Sequence, residues 1–173
     1  MTEKVKLIVL KRDLEAHRDG SIPGTLYVGD HKFPTIERGG GYVNLKVGDY
    51  VMEHSVKNTG RPVKCLRPIE KEVDTLLIHD AFKDSSLQLQ GCVAPGMAKK
   101  PPPGVGILRS AKAMELLWTL LGGWEKGKQV TLHVLNNVPG ETRTKMDWNR
   151  TRNPRLRRLL RSRAPRHKAP GHG

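Results

Sequence analysis

Thr25-Leu26-Tyr27-Val28-Gly29-Asp30-His31-Lys32-Phe33-Pro34-Thr35-Ile36 is the stretch that decides the fold. Two short runs rich in β-favouring residues flank Gly29-Asp30, a pair that suits a tight hairpin turn. Thr25 to Val28 leaves and Phe33 to Ile36 returns, with Pro34 pointing to an edge position because it has no N–H to give a ladder. Upstream, Val5 to Leu10 reads as another strand. Downstream, Gly39-Gly40-Gly41 breaks the chain, and Gly48-Asp49 leads into the alternating run Tyr50 to His54. Val63 to Leu66 is a weaker strand bracketed by Pro62 and Pro68. Thr75-Leu76-Leu77-Ile78-His79 is the most apolar strand candidate and ends on a histidine.

Only one helix is expected. Ser110 suits an N-cap, and apolar residues recur at Ala113, Met114, Leu117, Trp118 and Leu121 before Gly122-Gly123 stops the run. Gln129 to Leu135 supplies a last strand, and Pro101-Pro102-Pro103 stiffens the loop before the helix. Many strands, one helix and one strand predict a mostly β (α+β) fold. The expectation is a compact antiparallel β domain over residues 1–140 with one packed helix, followed by a basic extension over 141–173.

Charge separates the two parts. The 173 residues hold 31 Lys+Arg and 17 Asp+Glu, a formal net charge of +14. From Arg143 to Gly173 there are 11 basic residues and one acid, Asp147, so +10 belongs to the extension and only +4 to residues 1–142. Hydrophobic residues make up 36% of the chain, enough for a folded core and too many for a wholly disordered protein. No apolar run approaches the roughly 18 to 20 residues a membrane helix requires. Leu7 to Leu10 is followed at once by Lys11-Arg12, so neither a transmembrane segment nor a signal peptide is expected. Cys65 and Cys92 are too few for a disulfide framework.

The chemistry-bearing feature is His79, ending an apolar run, followed after a polar loop by Gln90-Gly91-Cys92-Val93. A nucleophilic cysteine needs a base or cation to form thiolate, and a glycine beside it lets backbone amides approach an oxyanion. The same residues equally describe a small buried thiol and a histidine closing a strand. His54 and His133 are expected as partly exposed strand residues. No histidine stands at metal-ligand spacing with a partner, and His79, Asp80 and Cys92 are the nearest approach to a zinc set, so no metal and no cofactor are expected. There is no Gly-rich phosphate loop running into a helix.

The string Thr75 to His79, Gly91-Cys92-Val93, Gly96, Ser110 opening a helix and a closing strand resembles a small domain family of bacteria and their phages. Gly24 to Val28 with Thr35 to Arg38, and Gly48-Asp49-Tyr50-Val51, are similar to that family's first hairpin and following strand. Its core in turn is similar to the catalytic segment of L,D-transpeptidases. The likeness runs from about Leu7 to Val134. It implies an L,D-transpeptidase-like domain acting on peptidoglycan, with Cys92 as nucleophile, His79 as its activator and Gly91 at the oxyanion site. It also implies a life in the host cytoplasm before assembly and then in the virion, with phage structural proteins as partners. The sequence departs from the transpeptidase pattern at three places. Leu89 stands for the serine, Gln90 for the second histidine, and Val93-Ala94-Pro95 replaces the arginine stretch.

The extension is the second signal. Arg150, Arg152, Arg155, Arg157, Arg158, Arg161, Arg163 and Arg166 accompany Leu156, Leu159 and Leu160, which can share one side of a short helix begun by Pro154. Such a segment binds polyanions by counterion release, and the excess of arginine over lysine suits bidentate phosphate or carboxylate contacts. Nucleic acid, an acidic protein surface and virion assembly are its expected partners. A solvated tail is the alternative.

Overall fold

The computed structural model describes residues 5–40 and 42–139. The Arg-rich extension from Gly140 onward, with all eight arginines named above, lies outside the described residues. Seven strands make one sheet: β1 (Leu7–Arg12), β2 (Ile22–Val28), β3 (His31–Glu37), β4 (Gly48–Thr59), β5 (Arg61–Pro68), β6 (Val93–Pro95) and, after a two-residue hairpin β7 (Ala98–Lys99) and β8 (Ile107–Leu108) and the helix α1 (Ser110–Leu120), β9 (Gln129–Leu135). Their order is β5-β4-β9-β1-β2-β3-β6. All neighbours are antiparallel except β1 and β9, which run parallel with Val9 opposite His133. The expected hairpin is present, with Val28 opposite His31. The described residues form the mostly β domain with one α-helix that the sequence predicts.

The two ends of this sheet meet. Leu66 and Ile78 exchange both backbone hydrogen bonds at 2.9 Å, and on its other side the same segment binds β6 through His79 N to Val93 O (3.1 Å) and Val93 N to Leu77 O (2.9 Å). The predicted strand Thr75–His79 is therefore reduced to a single bridging residue, Ile78, but that residue turns an open sheet into a closed barrel. Pro34 is not on a free edge; β6 pairs with β3 from Thr35 onward, and Gly96 N reaches the Pro34 carbonyl at 2.8 Å.

Alternation sorts the side chains. Ile8, Leu10, Leu26, Val28, Phe33, Tyr50, Met52, Leu66, Ile78, Val93, Val130, Leu132 and Val134 point into the barrel. Ala113, Met114, Leu117, Trp118 and Leu121 of the α1 segment join the same core, so the helix enters it through one mouth. Near the other mouth the inward positions turn polar. Arg12 and Glu37, both with fully buried side chains, form a two-armed ion pair at 2.8 and 2.7 Å, and Asn44 lies within 3.5 Å of the carboxylate.

The helix start departs from expectation. Ser110 is the first helical residue rather than the cap, and its Oγ donates to Pro95 O (2.6 Å) while accepting from Ala81 N (2.9 Å). The cap is Asp84, whose carboxylate takes the amides of Arg109 (3.0 Å) and Ser110 (2.7 Å). At the other end Gly123 N returns to Trp118 O and Gly122 N to Thr119 O, the paired bonds of a Schellman stop. Among the described residues no helix is long and apolar enough to cross a membrane.

Candidate functional site

Where Leu66, Ile78 and Val93 face inward at the seam, their neighbours Cys65, Leu77 and Cys92 must face outward. Those three form a second apolar cluster with Ile36, Ala81, Leu89, Ala94 and Ile107 on the outer wall. The seam thus brings together the two segments that the sequence singled out, on the outside of the barrel.

Cys92 is 4% exposed, and its thiol is held from both sides. Sγ accepts from Leu77 N and donates to Thr75 O, each at 3.4 Å. Burial pushes the thiol above its ordinary value, against the Leu77 amide and the Lys57 charge, which favour thiolate. Cys65 lies in the same cluster, fully buried, and burial pushes it up to about 11. Both cysteines are free thiols that line one cavity of about 690 Å³ together with Lys57, Arg67, Thr75 and Gln90. Gln90 lines the same cavity as Cys92, and its amide cannot take a proton at neutral pH.

His79 is 6% exposed and lines a different cavity, of about 490 Å³, with Lys57, Arg61, Val63, Asp80 and Phe82. Its Nδ1 donates to the carbonyl of Asp80 at 2.6 Å, since a carbonyl can only accept. Nε2 then carries the lone pair and is buried without a partner. Burial, the largest cause, holds the imidazole below its ordinary value, with the Lys57 charge acting the same way, so the ring is neutral. The two predicted catalytic side chains thus share a seam but line separate cavities, with Lys57 common to both.

Gly91 has a structural reason to be glycine. Its φ is +90°, and a Cβ there would stand 1.8 Å from the carbonyl oxygen of Val43. The loop after Gly40 packs against it, which the spacing of Gly-Cys-Val could not reveal.

His54 and His133 are also buried, against expectation. His54 is 1% exposed, lies 5.0 Å from the Trp118 ring at a tilt of 55° and accepts from Glu125 N at 3.2 Å, because it follows Tyr50 and Met52 on the buried side of β4. His133, 3% exposed, pairs through Nδ1 with the Asp49 carboxylate, its cross-strand neighbour. Among the described residues no three His, Cys, Asp or Glu side chains are grouped to hold a metal ion. Comparison of the chain with protein families, with characterised proteins and with solved structures finds no significant match.

Proposed function

We propose that this chain is a cell-wall-associated domain of the phage type that binds a peptidoglycan peptide and uses Cys92 as a packing residue rather than a nucleophile. The observation that carries this reading is the cavity shared by Cys92, Lys57, Arg67, Asp74, Thr75 and Gln90. Lys57 and Arg67 suit a peptide carboxylate, and Gln90 offers both an amide donor and an acceptor to a peptide backbone. Arg67 is held in place by Glu53 on the adjacent strand. The thiol supports binding without chemistry: burial keeps it protonated, it donates a hydrogen bond to Thr75 O, and no histidine lines its cavity, where Asp74 is the one carboxylate.

The test is to incubate purified sacculi with the protein and with Cys92→Ala, then measure co-sedimentation and muropeptide masses. Both proteins are expected to sediment with the wall and to leave its muropeptides unchanged. Products made by the wild type and not by Cys92→Ala would replace this reading with the cysteine acyltransferase, and loss of sedimentation would remove the wall altogether.

That second reading has one observation in its favour, the neutral His79 with a bare Nε2. On it, a rearrangement that brings Cys92 to His79 passes the thiol proton to Nε2, the thiolate attacks the peptide carbonyl, and the imidazolium returns the proton to the departing amine as the C–N bond breaks, leaving a thioester on Cys92. For the extension we infer polyanion or partner binding from its nine arginines against two lysines between Arg143 and Gly173. A chain ending at Glu141 is expected to lose salt-dependent DNA binding; equal affinity across a salt series would exclude nucleic acid as its partner.

A further inference from the structure

The cavity beside His79 has a composition that the peptide-binding groove does not explain. Beyond Glu53, which is the last β4 residue to pair with β9, strands β4 and β5 continue as a two-stranded ribbon to Thr59 and Arg61. Lys57 and Val63 are cross-strand partners on this ribbon, and Arg61 lies two residues before Val63 on the same face. That face, carrying two cations, forms one wall of the cavity; His79, Asp80 and Phe82 form the other. The Lys83 ammonium sits over the Phe82 ring at 5.4 Å.

The polar inventory is unusual in one respect. His79 Nδ1 is committed to a backbone carbonyl, so Nε2 can only accept. A buried acceptor without a donor is costly to maintain, and native proteins leave few of them. Lys57 and Arg61 are donors, yet no hydrogen bond of either to His79 satisfies that atom. A ligand that serves Nε2 brings a proton of its own, and the residues lining the cavity carry two cations, Lys57 and Arg61, against one carboxylate, Asp80. An anion of one charge with an O–H fits both requirements.

We propose that this cavity is a binding site for a monoanionic phosphoryl group, its oxygens held by Lys57 and Arg61 and its P–OH donating to Nε2 of His79. Arg61 supplies a planar fork for two phosphoryl oxygens and Lys57 a point charge. Asp80 is a second acceptor for a phosphoryl proton and works against a fully ionised ligand. Burial keeps the imidazole neutral, so its lone pair stays available. Sulfate has the same shape and no proton to give, which makes it the discriminating control.

The test is a titration of the intact protein with inorganic phosphate, glycerol phosphate and sulfate, followed by amide and histidine ring ¹⁵N shifts. Phosphate is expected to move the resonances of Gly60, Arg61, His79 and Asp80, and to shift Nε2 of His79 as it accepts a proton bond. Sulfate is expected to bind about tenfold more weakly, the worth of one such bond. Lys57→Met weakens both anions, and His79→Phe abolishes the preference for phosphate over sulfate. Binding of the glycerol ester identifies a phosphorylated molecule as the source, and binding of the inorganic ion alone identifies free phosphate. Equal binding of sulfate and phosphate, or an unmoved His79 Nε2 in the wild-type protein at saturating phosphate, overturns the proposal whether or not His79→Phe folds.

Discussion

Cys92 and His79 lie on one outer face of the barrel seam, each fixed by its own backbone neighbours. The protonated, enclosed thiols have a measurable consequence. Neither Cys65 nor Cys92 is expected to react with a chromogenic disulfide at pH 8 until denaturant opens the barrel; prompt stoichiometric labelling of the native protein would mean that Cys92 is an exposed thiolate. Gly91 makes a second prediction. Gly91→Ala asks for positive φ with a Cβ driven into the Val43 carbonyl, and is expected to cost more than about 2 kcal/mol in urea unfolding. A stable Gly91→Ala protein would show that the loop carrying Val43 yields freely. At this scale the sequence could single out His79 and Gly91-Cys92, because they are local strings. It could not tell that they line different cavities, since that depends on the facing of residues brought together by the closure at Ile78.

Elements were legible where a period or a turn pair spoke for itself. The Gly29-Asp30 hairpin, the apolar stripe of α1 and the strand Gln129–Leu135 all stand where local pattern puts them. The misreadings involve partners distant in the chain. Asp84 caps a helix that begins 26 residues later, and no local signal links the two. Asp84→Ala is expected to lower stability by about 1 to 2 kcal/mol, the usual worth of a helix cap, while Asp84→Asn recovers part of it. A thermal melt unchanged by Asp84→Ala would show that solvent serves those two amides equally well. Likewise Thr75–His79 looks like a full strand because it is apolar throughout. The structure uses that apolarity on two sides at once, Leu76 and Ile78 in the interior cluster and Leu77 in the outer one.

For the whole molecule the decisive features are the closed wall and the charge pair buried inside it. Arg12–Glu37 is invisible in a sequence of alternating strands, where an inward arginine looks like a pattern error. Removing one partner strands the other charge, so Glu37→Ala is expected to cost about 3 to 5 kcal/mol, whereas Arg12→Met with Glu37→Leu recovers most of the loss. A single substitution costing no more than the double one would sink that account. Acid and alkali should act from opposite sides. His54 and His79 are both held below their ordinary value of 6.5, chiefly by burial. Their neutral forms therefore stabilise the fold above pH 6.5, and this contribution is lost as pH falls below it, because the unfolded chain takes up protons first. Cys65 retains its proton up to about 11, while an ordinary thiol ionises near 9.0. The unfolded chain then releases a proton first, so stability declines from pH 9 to 11. Melting temperature against pH should be highest between these limits, with a shallower acid limb in His79→Phe; an identical limb would remove His79 from the linkage.

The placement of β9 between β4 and β1 has a consequence for how copies of this chain meet. The last strand of the described residues lies inside the wall rather than at an edge, so any opening that releases it exposes the edges of both neighbours as one vacant slot. The slot is antiparallel on the β4 side and parallel on the β1 side, and it accepts the β9 of another molecule as readily as its own. Concentrated protein under mildly destabilising conditions should therefore form reciprocal strand-exchanged dimers, each barrel completed by its neighbour's final strand.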